Sequence, residues 1–323
     1  MTIRAVVRGV GHYLPKHVVE NADFEAKIET SDEWIRTRTG IERRHFASGD
    51  ETTSSMGARA AQAALDMAGL SVADIDAIIV ATSTPDLTFP SAATMVQSAL
   101  GMTHGFAFDV QAVCAGFVFA AANANALIVS GQAKRVIIIG SETFSRLMDW
   151  EDRTTSVLFG DGAGALVLEA QEGDGTAQDR GILGTELNSD GRFKDILYVD
   201  GGVTTGETGH LRMAGKEVFR HAVEKLAGSA ENTLAKVGLT KADIDWIVPH
   251  QANIRILQST AKKLNVAMDQ VVVTVQDHGN TSAASIPLAL SVANAQGKLK
   301  TNDVVVTGAI GGGLAWGTIV FRW

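Results

Sequence analysis

One segment of this chain occurs twice, and the duplication constrains the fold more than any other feature. Ala64-Leu-Asp-Met-Ala-Gly-Leu-Ser-Val-Ala-Asp-Ile-Asp76 returns as Thr233-Leu-Ala-Lys-Val-Gly-Leu-Thr-Lys-Ala-Asp-Ile-Asp245. Each copy reads as a helix end, a turn and the start of an apolar strand, Ala77–Thr82 in the first and Trp246–His250 in the second. The correspondence continues in register. A helix over Cys114–Ser130 and a strand over Arg135–Ile139 are matched by a helix over Thr281–Gln296 and a strand over Asp303–Thr307. Each half closes with a Gly-rich turn into a strand, Gly160–Leu168 and Gly311–Phe321. Continuous Val and Ile strands alternating with helices predict mixed sheets covered on both faces, hence two copies of one α/β fold. A chain of 323 residues, 46% hydrophobic, is long enough to bury that much core. The aperiodic stretch Gln171–Gly181 marks the joint, giving halves of 1–172 and 173–323.

Within that frame one side chain invites chemistry. Cys114 is the only cysteine, and it stands where a strand-like run gives way to a long helix. Unpaired N–H groups and the helix dipole at such a place favour a thiolate, which makes Cys114 a candidate nucleophile. Taken alone, it reads more readily as a small core hydrophobe. In open α/β sheets the ligand crevice lies at the carboxyl ends of strands. His250 follows a strand there in the second half, and Asn280 precedes the helix corresponding to the one after Cys114. By itself His250 could be structural and Asn280 a turn or cap residue. Across a pseudo-twofold axis the three can converge.

Other classes are disfavoured. A single thiol forms no internal disulfide, and no Cys/His cluster has zinc spacing. The first residues lack a signal-peptide core, and Asn123 and Asn125 interrupt the most apolar segment, which suits a buried helix better than a membrane span. The expectation is a cytoplasmic protein. A formal charge of −8 argues against general nucleic-acid binding. Gly160-Asp-Gly-Ala-Gly164 lacks the Lys-Ser/Thr of a phosphate cradle and reads as a tight turn.

Seven segments together carry a resemblance: Thr30–Ile41, Phe89–Ala93, Ala112-Val-Cys-Ala-Gly-Phe117, Phe159-Gly-Asp-Gly-Ala-Gly-Ala165, Val248-Pro-His-Gln-Ala-Asn253, His278-Gly-Asn-Thr-Ser-Ala-Ala284 and Gly311-Gly-Gly313. Over nearly its whole length the chain resembles β-ketoacyl-acyl-carrier-protein synthase III, the initiating condensing enzyme of type II fatty-acid synthesis in the thiolase-fold superfamily. The resemblance implies an α-β-α-β-α layered fold with pseudo-twofold-related halves, and a catalytic triad of Cys114, His250 and Asn280. Cys114 would take an acyl group from a short acyl-CoA, acetyl-CoA foremost; malonyl-acyl-carrier protein would then lose carbon dioxide, and its enolate would attack the acyl-cysteine. His250 and Asn280 would donate to the enolate oxygen, and the backbone N–H groups of Cys114 and Gly312 would form the oxyanion hole. No metal is implied, and coenzyme A enters only as the thioester substrate.

The same resemblance places Trp34, Arg38, Thr39, Arg153 and Asn253 at the coenzyme A site, with Trp34 and Arg153 sandwiching the adenine. Arg255, Lys262 and Lys263, basic in an acidic chain, would steer the acidic carrier protein, although the lysines also read as a solvated helix face. Phe89 would reach from one subunit of a homodimer into the acyl pocket of the other. Phe144 and Ile310 depart from the family pattern in that pocket, as does Lys216, leaving the primer open. A relative priming polyketide or signalling-molecule synthesis is the enzymatic alternative, and a non-catalytic acyl-binding subunit the alternative from another class.

Overall fold

The computed structural model describes residues 1–323. The first half runs β1 (Thr2–Tyr13), β2 (His17–Glu20), α1 (Asn21–Glu25), α2 (Asp32–Thr39), β3 (Arg43–Phe46), α3 (Thr53–Ala68), β4 (Ala77–Ala81), α4 (Ala92–Ala99), β5 (Phe106–Val110), α5 (Gly116–Val129), β6 (Arg135–Thr143) and β7 (Asp161–Gly173). The second runs β8 (Gly181–Ser189), β9 (Leu197–Val199), β10 (Leu211–Met213), α6 (Gly215–Lys236), β11 (Trp246–Ile247), α7 (Ile254–Leu264), α8 (Val275–His278), α9 (Ser285–Ala295), β12 (Val304–Gly311) and β13 (Ala315–Arg322).

The repeat is built as its residues dictate. α3 ends on Gly69 and α6 runs into Gly238, both with positive φ, which lets the chain turn back without a Cβ penalty. Asp74 then accepts from the N–H and hydroxyl of Ser71, and Asp243 does the same for Thr240. Both units therefore leave the helix through the same capped turn. The last aspartate of each copy sets strand register: Asp76 accepts from Arg135 N–H and Asp245 from Val304 N–H, pinning β4 beside β6 and β11 beside β12.

Two mixed sheets result, β1-β7-β6-β4-β5 and β11-β12-β13-β8. α5 and α9 lie between them, where Val118, Ala121, Ile286 and Leu290 join one core with Ile138 and Leu166 of one sheet and Val305 and Ile319 of the other. Alanines and Gly116 on the inner faces of α5 let it pack closely between the sheets, while Asn123, Ala126 and Val129 remain exposed on its outer side. α3 and α4 cover the outer face of the first sheet, α6 and α7 that of the second, completing the α-β-α-β-α layering. No helix is long and apolar enough to cross a membrane.

The halves differ at one edge. The regular second strand of the repeat covers only Trp246–Ile247, although the N–H groups of Val248 and His250 still donate to the Val306 and Gly308 carbonyls and hold the chain beside β12 as far as His250. The counterpart of β5 shrinks to a single bridge between Ile247 and Val271.

Candidate active site

Two tight turns form the floor of the site. Val113–Ala115 leads into α5 and Ser282–Ala284 leads into α9, and each opens on a residue in the left-handed region, Val113 at φ +50° and Ser282 at +49°. For a β-branched valine that conformation is strained, and it recurs at corresponding places in the two halves. Side-chain-free glycines on the strands let each turn come close: a Cβ on Gly140 of β6 would collide with the Ala283 carbonyl, and one on Gly311 of β12 would lie 2.8 Å from the Cys114 nitrogen. Cys114, His250 and Asn280 consequently face one cavity of about 650 Å³, each almost fully buried.

Neighbours orient the two polar members. Asn280 accepts the Ser282 N–H through Oδ1 at 2.9 Å, which turns its NH₂ toward the cavity. Its backbone is pinned by Asn280 N–H to the Leu158 carbonyl and by Gly160 N–H to its own carbonyl. His250 Nδ1 lies 2.6 Å from the Ser285 hydroxyl, whose oxygen also accepts the Gln251 N–H at 3.3 Å. The hydroxyl hydrogen has no other acceptor, so it points at Nδ1 and leaves the proton of a neutral imidazole on Nε2. Burial lowers the His250 pKa to about 4, so the ring is neutral near pH 7. Both groups thus present N–H donors without a net charge.

The thiol departs from the expectation drawn from its helix. Burial pushes Cys114 up to about 12; the Ser282 hydroxyl and the residue's own N–H favour the thiolate, but the charge of Glu142 opposes it. Desolvation outweighs the helix end, and the resting group is a protonated thiol.

Residues 108–191 match the family model described as 3-oxoacyl-[acyl-carrier-protein (ACP)] synthase III, and residues 234–323 match the one described as its C-terminal part. A beta-ketoacyl-[acyl-carrier-protein] synthase III of Ruegeria pomeroyi is 73% identical over 323 residues, covering all of both chains. The chain belongs to the 3-oxoacyl-[acyl-carrier-protein] synthase III family. Among solved structures, the synthase III of Aquifex aeolicus is 43% identical with a TM-score of 0.93, covering 99% of this chain and 100% of that one. The priming beta-ketosynthase of the R1128 polyketide pathway is 34% identical with a TM-score of 0.92, covering 99% and 96%.

The other positions expected from the synthase III resemblance fall into two groups. Trp34, Arg38, Thr39, Asn253 and Arg255 line the cavity, as do Phe144, Ile310 and Lys216 at its apolar and polar walls. Arg38 and Arg153 stack on the Trp34 ring at 4.8 and 5.3 Å from its centroid, and Arg153 also donates to the Glu29 carbonyl at 2.7 Å. Asn253 caps α7 by accepting the Ile256 N–H, which leaves its NH₂ free, whereas the Thr39 hydroxyl is engaged by Ile35 and Ile41. Outside the cavity stand Phe89, 82% exposed, the half-buried Gly312, and Lys262 and Lys263 in the last turn of α7. The Gly312 N–H has no backbone partner.

Sequence reasoning missed Ser282, Ser285, Gln251 and Glu142. Gln251, fully buried, donates to the Pro249 and Val272 carbonyls and accepts from the N–H groups of Thr274 and Val275, fixing the loop that carries His250. A single acidic residue closing the strand Val136-Ile-Ile-Ile-Gly-Ser-Glu142 was the signal available for Glu142.

Proposed function

We propose that this chain initiates fatty-acid synthesis by condensing a short acyl-CoA, acetyl-CoA foremost, with malonyl-acyl-carrier protein to give a β-ketoacyl-acyl-carrier protein. One observation carries the reading: a lone buried thiol shares its cavity with two uncharged donors whose free N–H groups face it.

Cys114 attacks the acyl-CoA carbonyl, and coenzyme A leaves after a thioester-for-thioester exchange. The tetrahedral oxygen is held by the N–H groups of Cys114 and Gly312. Malonyl-acyl-carrier protein then loses carbon dioxide, and negative charge develops on its thioester oxygen. His250 Nε2–H and the Asn280 NH₂ stabilise that charge. A neutral imidazole suits the task, since it is a donor at every pH well above about 4. Decarboxylation drives the step, and coenzyme A is needed only as part of the substrate.

Around this core, Trp34 and Arg153 hold the adenine, with Arg38, Thr39 and Asn253 along the pantetheine route. Arg153 stacks directly on Trp34, so admitting a purine between them requires the guanidinium to leave Glu29. Arg255 at the mouth and Lys262 and Lys263 along α7 guide the carrier protein. Phe89, projecting from its own subunit, closes the acyl pocket of a second copy in a homodimer, while Phe144 and Ile310 shape the pocket from within. The halves 1–172 and 173–323 act as pseudo-twofold-related units, one bringing the nucleophile and the other both donors. The enzyme works in the cytoplasm.

Incubation with radiolabelled acetyl-CoA tests the reading. Covalent label on the wild type and none on Cys114→Ser is the expected result; an unlabelled wild type would favour a non-catalytic acyl-binding subunit. A panel of acyl-CoA primers assayed with malonyl-acyl-carrier protein separates acetyl priming from a polyketide-type primer.

A further inference from the structure

The condensation described above leaves one buried acid without a task. Glu142 sits near the end of β6 with no solvent exposure. Its Oε2 accepts from the Thr82 hydroxyl at 3.0 Å, the Ser83 N–H at 3.0 Å and the Thr84 hydroxyl at 2.6 Å, and its Oε1 accepts from the Ser282 hydroxyl at 3.0 Å. No cation pairs with it. The groups packed around it come from the loop after β4, from Thr53 of α3 beneath Thr84 and Thr143, and from the Ser282 and Cys114 turns; of these only Cys114 titrates.

Ser282 stands between the acid and the thiol. Its hydroxyl has one hydrogen, given to Glu142 in the resting structure and able to favour a thiolate on Cys114 when turned toward sulfur. The turn carrying Ser282 packs against the turn carrying Cys114, so one hydroxyl, bonded at 3.0 Å to the carboxylate, separates the acid from the thiol.

Resting on the acyl-cysteine reading, we propose that Glu142 takes the Cys114 proton, relayed through the Ser282 hydroxyl, when the thiol attacks the acyl donor. The S–H bond breaks and Ser282 gains that proton while passing its own to Glu142 Oε1. The sulfur electron pair then forms the bond to the acyl carbon. As the carbon–sulfur bond to coenzyme A breaks, the proton returns by the same hydroxyl to the departing sulfur, so coenzyme A leaves as a thiol and Glu142 is again a carboxylate.

Charge bookkeeping favours this route. Passing the proton to Glu142 moves one negative charge within the cavity and removes the carboxylate that opposes a thiolate. Passing it to His250 would create an ion pair among apolar walls and cost that residue the neutral state its donor role requires. The buried carboxyl, pushed up to about 7, also holds a proton far more tightly than the imidazole, lowered to about 4. Glu142 touches no substrate atom and acts through Ser282.

Alkylation of Cys114 by iodoacetamide across pH 6–9 reads the relay without any substrate. The wild-type rate rises through about pH 7 and levels off as Glu142 ionises. In Glu142→Gln, which keeps the size but not the basicity, the rate at pH 7.5 falls by about tenfold or more and climbs steadily with pH instead of levelling. Ser282→Ala, with Glu142 intact, shows the same profile, and the double variant is no slower than either single one. Glu142→Asp recovers part of the rate. The proposal is overturned if Glu142→Gln or Ser282→Ala alkylates as fast as wild type or faster, the outcome of mere charge relief, or keeps the wild-type pH profile at a uniformly scaled rate. Should Glu142→Gln fail to fold, Ser282→Ala decides alone. Acetyl-CoA labelling judges the condensing reading separately, so either can fail by itself.

Discussion

His250 and Asn280 become donors through neighbours that the substrates never meet. Ser285 and the Ser282 N–H occupy the acceptor side of each group, and what remains pointing into the cavity is N–H. Replacing either His250 or Asn280 by Ala should slow β-ketoacyl product formation by roughly 10²–10³. Acetyl label on Cys114 should survive in both variants, because acylation does not use these donors; quench-flow separation of coenzyme A release from condensation would show it. Ser285→Ala frees Nδ1 to carry the proton instead. Its condensation rate should drop while acylation stays near wild type, and equal losses in both half-reactions would argue that Ser285 only packs.

At the scale of elements, the site depends on how closely the Ser282 turn approaches β6. Gly140 sits against the backbone of Ala283, so Gly140→Ala forces the turn and strand apart. The expected cost is about 1–3 kcal/mol, read as a lower denaturant midpoint, with condensation slowed as well because Asn280 precedes the displaced turn. α7 carries the opposite kind of feature, a charged face rather than a close contact. Lys262 and Lys263 lie in its last turn, where they also complement the helix dipole. Arg255→Glu should weaken kcat/KM for malonyl-acyl-carrier protein at low salt, and the deficit should shrink as ionic strength rises, since the attraction is screened within about 10 Å at 0.1 M. A salt-independent deficit would point to lost packing on Phe219 instead.

For the molecule as a whole, β5 ends the first sheet as an unpaired edge. Phe106, 39% exposed, stacks on Phe108 there, at 6.3 Å between ring centroids. An apolar open edge is a template for another strand, which supports the proposed homodimer. Sedimentation should give a dimer, and Phe106→Lys should shift it toward monomer. Stability should also respond to pH. His250 and His278 are each lowered from 6.5 to about 4 by burial, so the stability they contribute is present above pH 6.5 and lost as pH falls toward 4. Glu142, raised from 4.5 to about 7, contributes oppositely, as do the carboxyls of Asp109 and Asp161, which burial raises, whereas His12, lowered by burial, adds to the two histidines. His278→Asn should make the fall in melting temperature from pH 6.5 toward 4 less steep, because one buried imidazole that has to charge is removed. Unchanged steepness in the variant would place the acid sensitivity elsewhere.

What the sequence alone determined was everything carried by short spacings. The repeated Gly, Ser or Thr, and Asp residues cap their own turns and set their own strands, so the duplication, the strand exit before His250 and the corresponding helix starts beside Cys114 and Asn280 were readable without coordinates. Only the tertiary structure decided what each group feels. Ser282 meets Glu142 across 140 residues, Ser285 meets His250 across 35, and no local pattern announces either contact. The thiol shows the difference best: its helix end, a local property, favours the thiolate, yet desolvation by both halves of the chain raises it to about 12. Solvation depends on every atom packed around a group, and that sum exists only once the halves have closed on each other.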